Sequence, residues 1–215
     1  MIIIPTNATA KKPLAWKDAA GAHGTSVSIP AHNAGDLIVL YVQQGYSSTV
    51  TKPSASGTVP TWNTILLGPG TYERAQTHYA VATSSSTTTG DWTGAHLVVA
   101  MVIEGQGASP IGARASYSNY GEESLPAPAV TLQKTDGTSL LIHVGGVQDQ
   151  TPPGYYGYFN AAFSSSGYTA RLAPTGPGAS YRVVTKDVTT TDGLMYLGSL
   201  SGGYDYASQT IEILA

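Results

Sequence analysis

Two stretches, "LIVLYV" (37–42) and "LVVAMVI" (97–103), are apolar at every position. A strand with one wet face alternates apolar and polar side chains. An unbroken run of strand length must therefore be covered on both faces or lie at the centre of a sheet. "SLLIHVGGV" (139–147) repeats the pattern with a single His inside it, whereas "SVSI" (26–29) and "TIEI" (210–213) alternate as half-exposed strands do. The seven-residue run at 97–103 is far short of the roughly 20 apolar residues that a membrane-spanning helix needs. The expectation is a water-soluble chain of packed sheets with protected centres.

Further runs of strand length fall between Gly, Pro, Asn and Asp at 25–30, 36–43, 61–67, 77–83, 95–104, 129–133, 139–147, 168–173, 180–188, 194–200 and 208–214. Short strands separated by turn signals predict an all-β fold, a sandwich or barrel. A charged share of 11% supports strands and tight turns over helices. The one helix candidate is "PLAWKDAAGA" (13–22), which Gly21 would end. "VSIPAHNAGDLIVLYV" resembles "VTLQKTDGTSLLIHVG", and "HYAVATSSSTTTGDW" resembles "SYRVVTKDVTTTDGL", at nearly the same offset along the chain. The reading is a single jelly-roll-like antiparallel β-sandwich built from two similar halves, about 25–105 and 129–215, within a domain spanning 25–215 and preceded by an N-terminal arm, 1–24. Residues 105–129, rich in Gly, Pro, Ser and Tyr, read as a long surface excursion.

Composition excludes several classes of function. A net charge of −3 with scattered Lys and Arg provides no basic stripe for nucleic acid. The absence of Cys removes thiolate metal sites and Cys nucleophiles. The opening "MIIIPTNATAKKP" has its apolar run before its basic pair, opposite to a secretory signal, so no export by that route is expected. Asp36, Asp136 and Asp192 sit in turn contexts where a carboxylate caps nearby backbone, and Glu122 and Glu123 are adjacent, so no carboxylate pair for glycoside hydrolysis stands out. His23, His32, His78, His96 and His143 form no ligand-like spacing. His143, inside an apolar run, reads as a hydrogen-bonded core residue. With no G-x-S-x-G elbow either, the chain is expected not to be an enzyme and to carry no cofactor or metal.

The aromatic residues are what remain. "TPPGYYGYFN" (151–160) places Tyr155, Tyr156, Tyr158 and Phe159 on a Gly/Pro loop. Tyr117 and Tyr120 lie in the 105–129 excursion, Tyr168 ends its counterpart, the Tyr loop at 151–168, and Tyr204 and Tyr206 lie in "SGGYDY". Tyr offers a rigid apolar face with a hydroxyl, suited both to protein interfaces and to sugar rings. Tyr117, Tyr120, Tyr155, Tyr156, Tyr158, Phe159, Tyr204 and Tyr206 are the binding or interface candidates. Asp149, Gln150, Asn160 and Asp205 are placed to read sugar hydroxyls in the second use.

The succession "AGDLIVLYVQQ", "VPTWNTILL", "HYAVATSSST", "AHLVVAMVIEG" and, in the second half, "TDGTSLLIHVGG" and "YRVVTKD" resembles β-sandwich structural proteins of tailed bacteriophages. Two departures are "PTW", without a Gly before Trp62, and Glu104-Gly105 where the pattern has Arg-Gly. The resemblance implies a virion protein, a minor tail or head-decoration subunit assembled in the host cytoplasm. Its partners would be other virion proteins and copies of itself. The alternative is a carbohydrate-binding or host-receptor-binding module that grips surface glycan.

Overall fold

The computed structural model describes residues 12–44, 49–68, 75–120, 123–147, 159, 162–174, 180–189, 191–200 and 205–215. The described residues form twelve strands and no helix. The first half supplies β1 (Ala15–His23), β2 (Leu37–Gln44), β3 (Asn63–Leu67), β4 (Ala75–Val81) and β5 (Ala95–Glu104). The second supplies β6 (Ile111–Tyr120), β7 (Ser124–Ala127), β8 (Ser139–Val147), β9 (Thr169–Leu172), β10 (Tyr181–Thr189), β11 (Met195–Ser199) and β12 (Asp205–Leu214).

Strands β1 to β5 make one five-stranded sheet in the order β1-β5-β2-β4-β3, and the second half repeats that order as β6-β12-β8-β10-β9. All pairings are antiparallel. β7 and β11 pair as a separate two-stranded sheet. The first half has the same element in reduced form, a single bridge between Ser28 and Thr88 in the corresponding connections. Edge β1 faces β9, and edge β3 faces β6, contacts that exchange when the halves are exchanged. The two-half reading is therefore a property of the topology. Each sheet comes from one continuous half of the chain, so the described strands do not alternate between sheets as a jelly roll requires.

The apolar runs owe their continuity to a three-core layering. Leu37, Val39, Tyr41, Leu97, Val99, Met101 and Ile103 meet Leu140, Ile142, Val144, Val183, Ile211 and Ile213 between the sheets. The intervening Ile38, Leu40, Val42, Val98, Ala100 and Val102 face outward, under connecting loops that bring Ile29, Val50, Trp62 and Trp92. A third cluster, with Leu125, Phe159, Met195, Leu197 and Tyr206, lies on the outer face of the second sheet. β2, β5 and β8 are thus buried on both faces, as their sequences require.

Some expectations are corrected. "AWKDAAGAH" is strand β1 rather than a helix, paired with β5 from Ala15 to His23, so the sheet begins inside the expected N-terminal arm. Helix propensity from its alanines yields to pairing along one edge of a buried strand. The 105–129 excursion contains β6 and β7, held by β12 and β11. Runs 25–30 and 129–133 form no strand apart from the Ser28 bridge. The repeat is also displaced in one place. If Leu37 is superposed on Leu140, Gly146 takes the place of Gln43; Tyr181 lies opposite Gly146 but Tyr79 lies opposite Val39, four residues from Gln43. The two tyrosines share a face but not a position.

Two glycines in β8 show how tightly the layers meet. A Cβ at Gly145 would lie 2.7 Å from Leu125 in the outer layer, and one at Gly146 would overlap the Gln43 amide in the seam between sheets.

Candidate functional site

Tyr155, Tyr156, Tyr158 and Tyr204 lie outside the described residues, as do Asp149, Gln150 and Asn160. The strands that carry these segments converge. Val147 and Asn119 both lie opposite Tyr206, and Tyr120 lies opposite Asp205, so the 105–129 segment, the Tyr loop and "SGGYDY" are rooted at one end of the second sheet.

The described candidates divide by burial. Tyr117 is half-buried and stacks on Tyr206, with ring centroids 6.2 Å apart and planes 19° from parallel. Tyr206 and Phe159 are fully buried in the outer cluster of the second half, and Phe159 bridges Leu200. Neither ring is available as an exposed contact. Gly/Pro surroundings suggested exposure, but the covering comes from Leu125, Met195 and Leu197, distant in sequence. Tyr168 is half-buried one residue before β9, the place Trp62 occupies before β3.

Beneath these aromatics the outer face of the second sheet is polar. His143 is fully buried, its Nδ1 3.0 Å from Thr210 Oγ1 and its Nε2 3.8 Å from Asp192 Oδ1. The Asp192 carboxyl accepts from the Tyr168 hydroxyl at 3.4 Å and from the Val130 N–H at 3.3 Å, and the Tyr168 ring meets His143 edge-on at 5.5 Å. Burial holds the imidazole at about 4, with the Lys186 charge acting in the same direction. Burial raises Asp192 above the usual carboxylate range, against the pull of its backbone donors and Lys186. Both groups are driven toward neutral forms, and at 3.8 Å their contact is weak as an ion pair. The core role expected for His143 is what the structure shows.

Glu212 is fully buried and accepts three backbone N–H groups, from Ala113 at 2.9 Å, Gln133 at 2.8 Å and Lys134 at 3.1 Å. One carboxylate thereby pins the start of β6 and the connection before β8. Arg182 is likewise buried, with its guanidinium 4.1 Å from the Phe159 ring centroid and donating to the Leu197 carbonyl; burial lowers it to about 10. Asp136 caps its own turn, accepting from the Thr138 N–H at 3.1 Å and hydroxyl at 2.6 Å. Asp36 accepts from the Asn33 N–H at 2.7 Å and pairs with Lys17 at 2.8 Å. These carboxylates position backbone. Among the described residues no three His, Asp or Glu side chains gather as metal ligands.

Beside this network a cleft of about 430 Å³ opens between β11 and the segment 162–164, lined by Ser124, Ala162, Phe163, Ser164, Tyr196, Gly198 and Ser199. Tyr196 is 53% exposed. Sequence reasoning passed over Tyr196, although the alternation in "LMYLGSL" points it away from Met195 and Leu197. Arg182 and Glu212 left no such trace, because each occupies a position that an apolar residue would ordinarily fill.

No protein-family model matches the chain, and comparison with curated proteins and with solved structures gives no match.

Proposed function

We propose that this chain is a non-catalytic structural subunit of a tailed-phage particle, a minor tail or head-decoration protein assembled in the host cytoplasm, which docks on neighbouring virion subunits and on copies of itself. The virion assignment rests on the resemblance of the strand pattern to such proteins. The observation that carries the docking role is the common root of the aromatic segments: Tyr117 stacked on Tyr206, Tyr120 opposite Asp205, and Val147 opposite Tyr206, all at one end of the second sheet. Segments rooted together act as one contact surface, and a few aromatic residues supply most of the binding energy of such surfaces. Near that end the buried Arg182 guanidinium holds the Leu197 carbonyl of β11, which lowers the ordering cost of docking there.

Quantitative mass spectrometry of purified particles tests the assignment. Many copies relative to the major capsid protein support head decoration, and a few copies support a tail position. Absence from the particle overturns the virion reading.

A further inference from the structure

The two halves close the same place differently. In the first half the loop between β2 and β3 lies against the connection between β4 and β5, where the Thr58 carbonyl accepts the N–H groups of Thr87 at 3.1 Å and Thr88 at 3.3 Å. In the second half the same two connections meet at the Phe159–Leu200 bridge, and beside it 162–164 and β11 form the walls of the 430 Å³ cleft. Gly198 lines it with backbone: its φ is +146°, and a Cβ there would overlap the buried Arg182 guanidinium beneath, so that position carries no side chain.

The lining has a definite chemistry. Tyr196 supplies an exposed aromatic ring, Phe163 a half-buried one packed on the outer cluster, and Ser124, Ser164 and Ser199 supply hydroxyls that both donate and accept. Among the described residues no charged side chain lines the cleft, which disfavours phosphates and acidic sugars. An added peptide strand fits poorly, since Phe159 already bridges Leu200 and the Leu197 carbonyl already accepts from Arg182. A pyranose presents an apolar C–H face to an aromatic ring and hydroxyls around its rim, each needing a donor and an acceptor. We propose that the cleft between β11 and residues 162–164 binds a neutral pyranose ring stacked on Tyr196, with the serine hydroxyls reading its rim. The cleft borders the docking end, with Ser124 four residues after Tyr120 and Ser199 just before "SGGYDY", but the proposal does not depend on the virion assignment.

The test is an NMR titration of the ¹⁵N-labelled full chain with the methyl glycosides of glucose, galactose and N-acetylglucosamine at millimolar concentrations. The expected result is saturable shifts at Tyr196, Gly198, Ser199 and Phe163 with at least one sugar. Tyr196→Ala should weaken that binding roughly tenfold, whereas Tyr196→Phe, which keeps the ring, should stay within about twofold. Tyr196 is exposed, so Tyr196→Ala should melt as the parent does, and a fall in affinity then reports the lost ring. Absence of saturable shifts with all three sugars, or undiminished binding by Tyr196→Ala, overturns the proposal. Loss of particle incorporation by Tyr196→Ala in a chain that binds none of the sugars also overturns it and makes the cleft a protein contact.

Discussion

Beneath its covering loops the first sheet presents Ile38, Leu40 and Val42 from β2 and Val98, Ala100 and Val102 from β5. At the same registers the second sheet presents Leu141, His143 and Gly145 from β8 and Ser208, Thr210 and Glu212 from β12. Strand order, pairing and burial are shared, but the chemistry is not. The first half is closed by Trp62 and Trp92, whose rings meet edge-on at 6.1 Å and whose indole N–H groups both donate to the Thr89 carbonyl at 3.0 Å. In the second half directional bonds replace much of that apolar contact. Buried polar groups cost stability unless satisfied, and Glu212 and Asp192 are satisfied largely by the backbone of connecting segments. The apolar half is closed mainly by packed rings, pinned by the two indole bonds to Thr89. The polar half fixes particular loops in particular places, which is what a binding face requires.

The largest effect that would break this comparison concerns the paired residues before the edge strands. Trp62→Ala should cost about 4 kcal/mol in chemical denaturation, because a nearly buried ring and its hydrogen bond are lost together. Tyr168→Ala, at the matching but half-buried position, should cost about 2 kcal/mol. Equal losses would mean that the two closures are energetically alike. Next comes Glu212→Gln, which keeps the volume but replaces one acceptor oxygen with a donor. At least one of the three N–H groups then lacks a good partner at a buried side chain, and about 2 kcal/mol should be lost.

Much of this was legible beforehand, and its limits are physical. β5 and β8 match their expected bounds at 95–104 and 139–147, because unbroken apolar runs have few alternatives to a doubly covered strand. β6 was hidden: opposite the core residues Ala207 and Ile211 of β12 it carries Ser118 and Arg114, so no apolar alternation marks a face, and it is the pairing with β12 that makes the segment a strand. Arg182 and Glu212 could not be placed, since what neutralises the cost of burying them is backbone far away in sequence.

Acid acts on both halves. His78, packed on Trp92 at 4.5 Å, and His143 are each held by burial at about 4, against an ordinary value of 6.5. The unfolded chain takes up a proton near pH 6.5 and the folded chain only near pH 4, so stability is fully present above pH 6.5 and is lost as pH falls toward 4. Each His contributes up to about 3 kcal/mol to that loss. Asp192, raised by burial, works in the opposite direction and offsets part of the loss in the second half. His143→Leu, which gives β8 the residue β2 has at Leu40, should flatten the fall in melting temperature between pH 6.5 and 4. An unchanged slope would show that His143 does not titrate on unfolding. The smallest expected effect is that of Tyr168→Phe, which removes one 3.4 Å hydrogen bond to Asp192 and should cost about 0.5–1 kcal/mol.

The most direct test of the difference between the halves is hydrogen exchange of the intact chain at neutral pH under increasing denaturant. Residues 124–127 and 195–199, beside the cleft, should open at a lower free energy than residues 87–92, which lie under the tryptophan closure. Opening of both layers at the same free energy, or of the tryptophan layer first, would contradict the assignment of the first half as the more tightly closed scaffold and the second as the binding side.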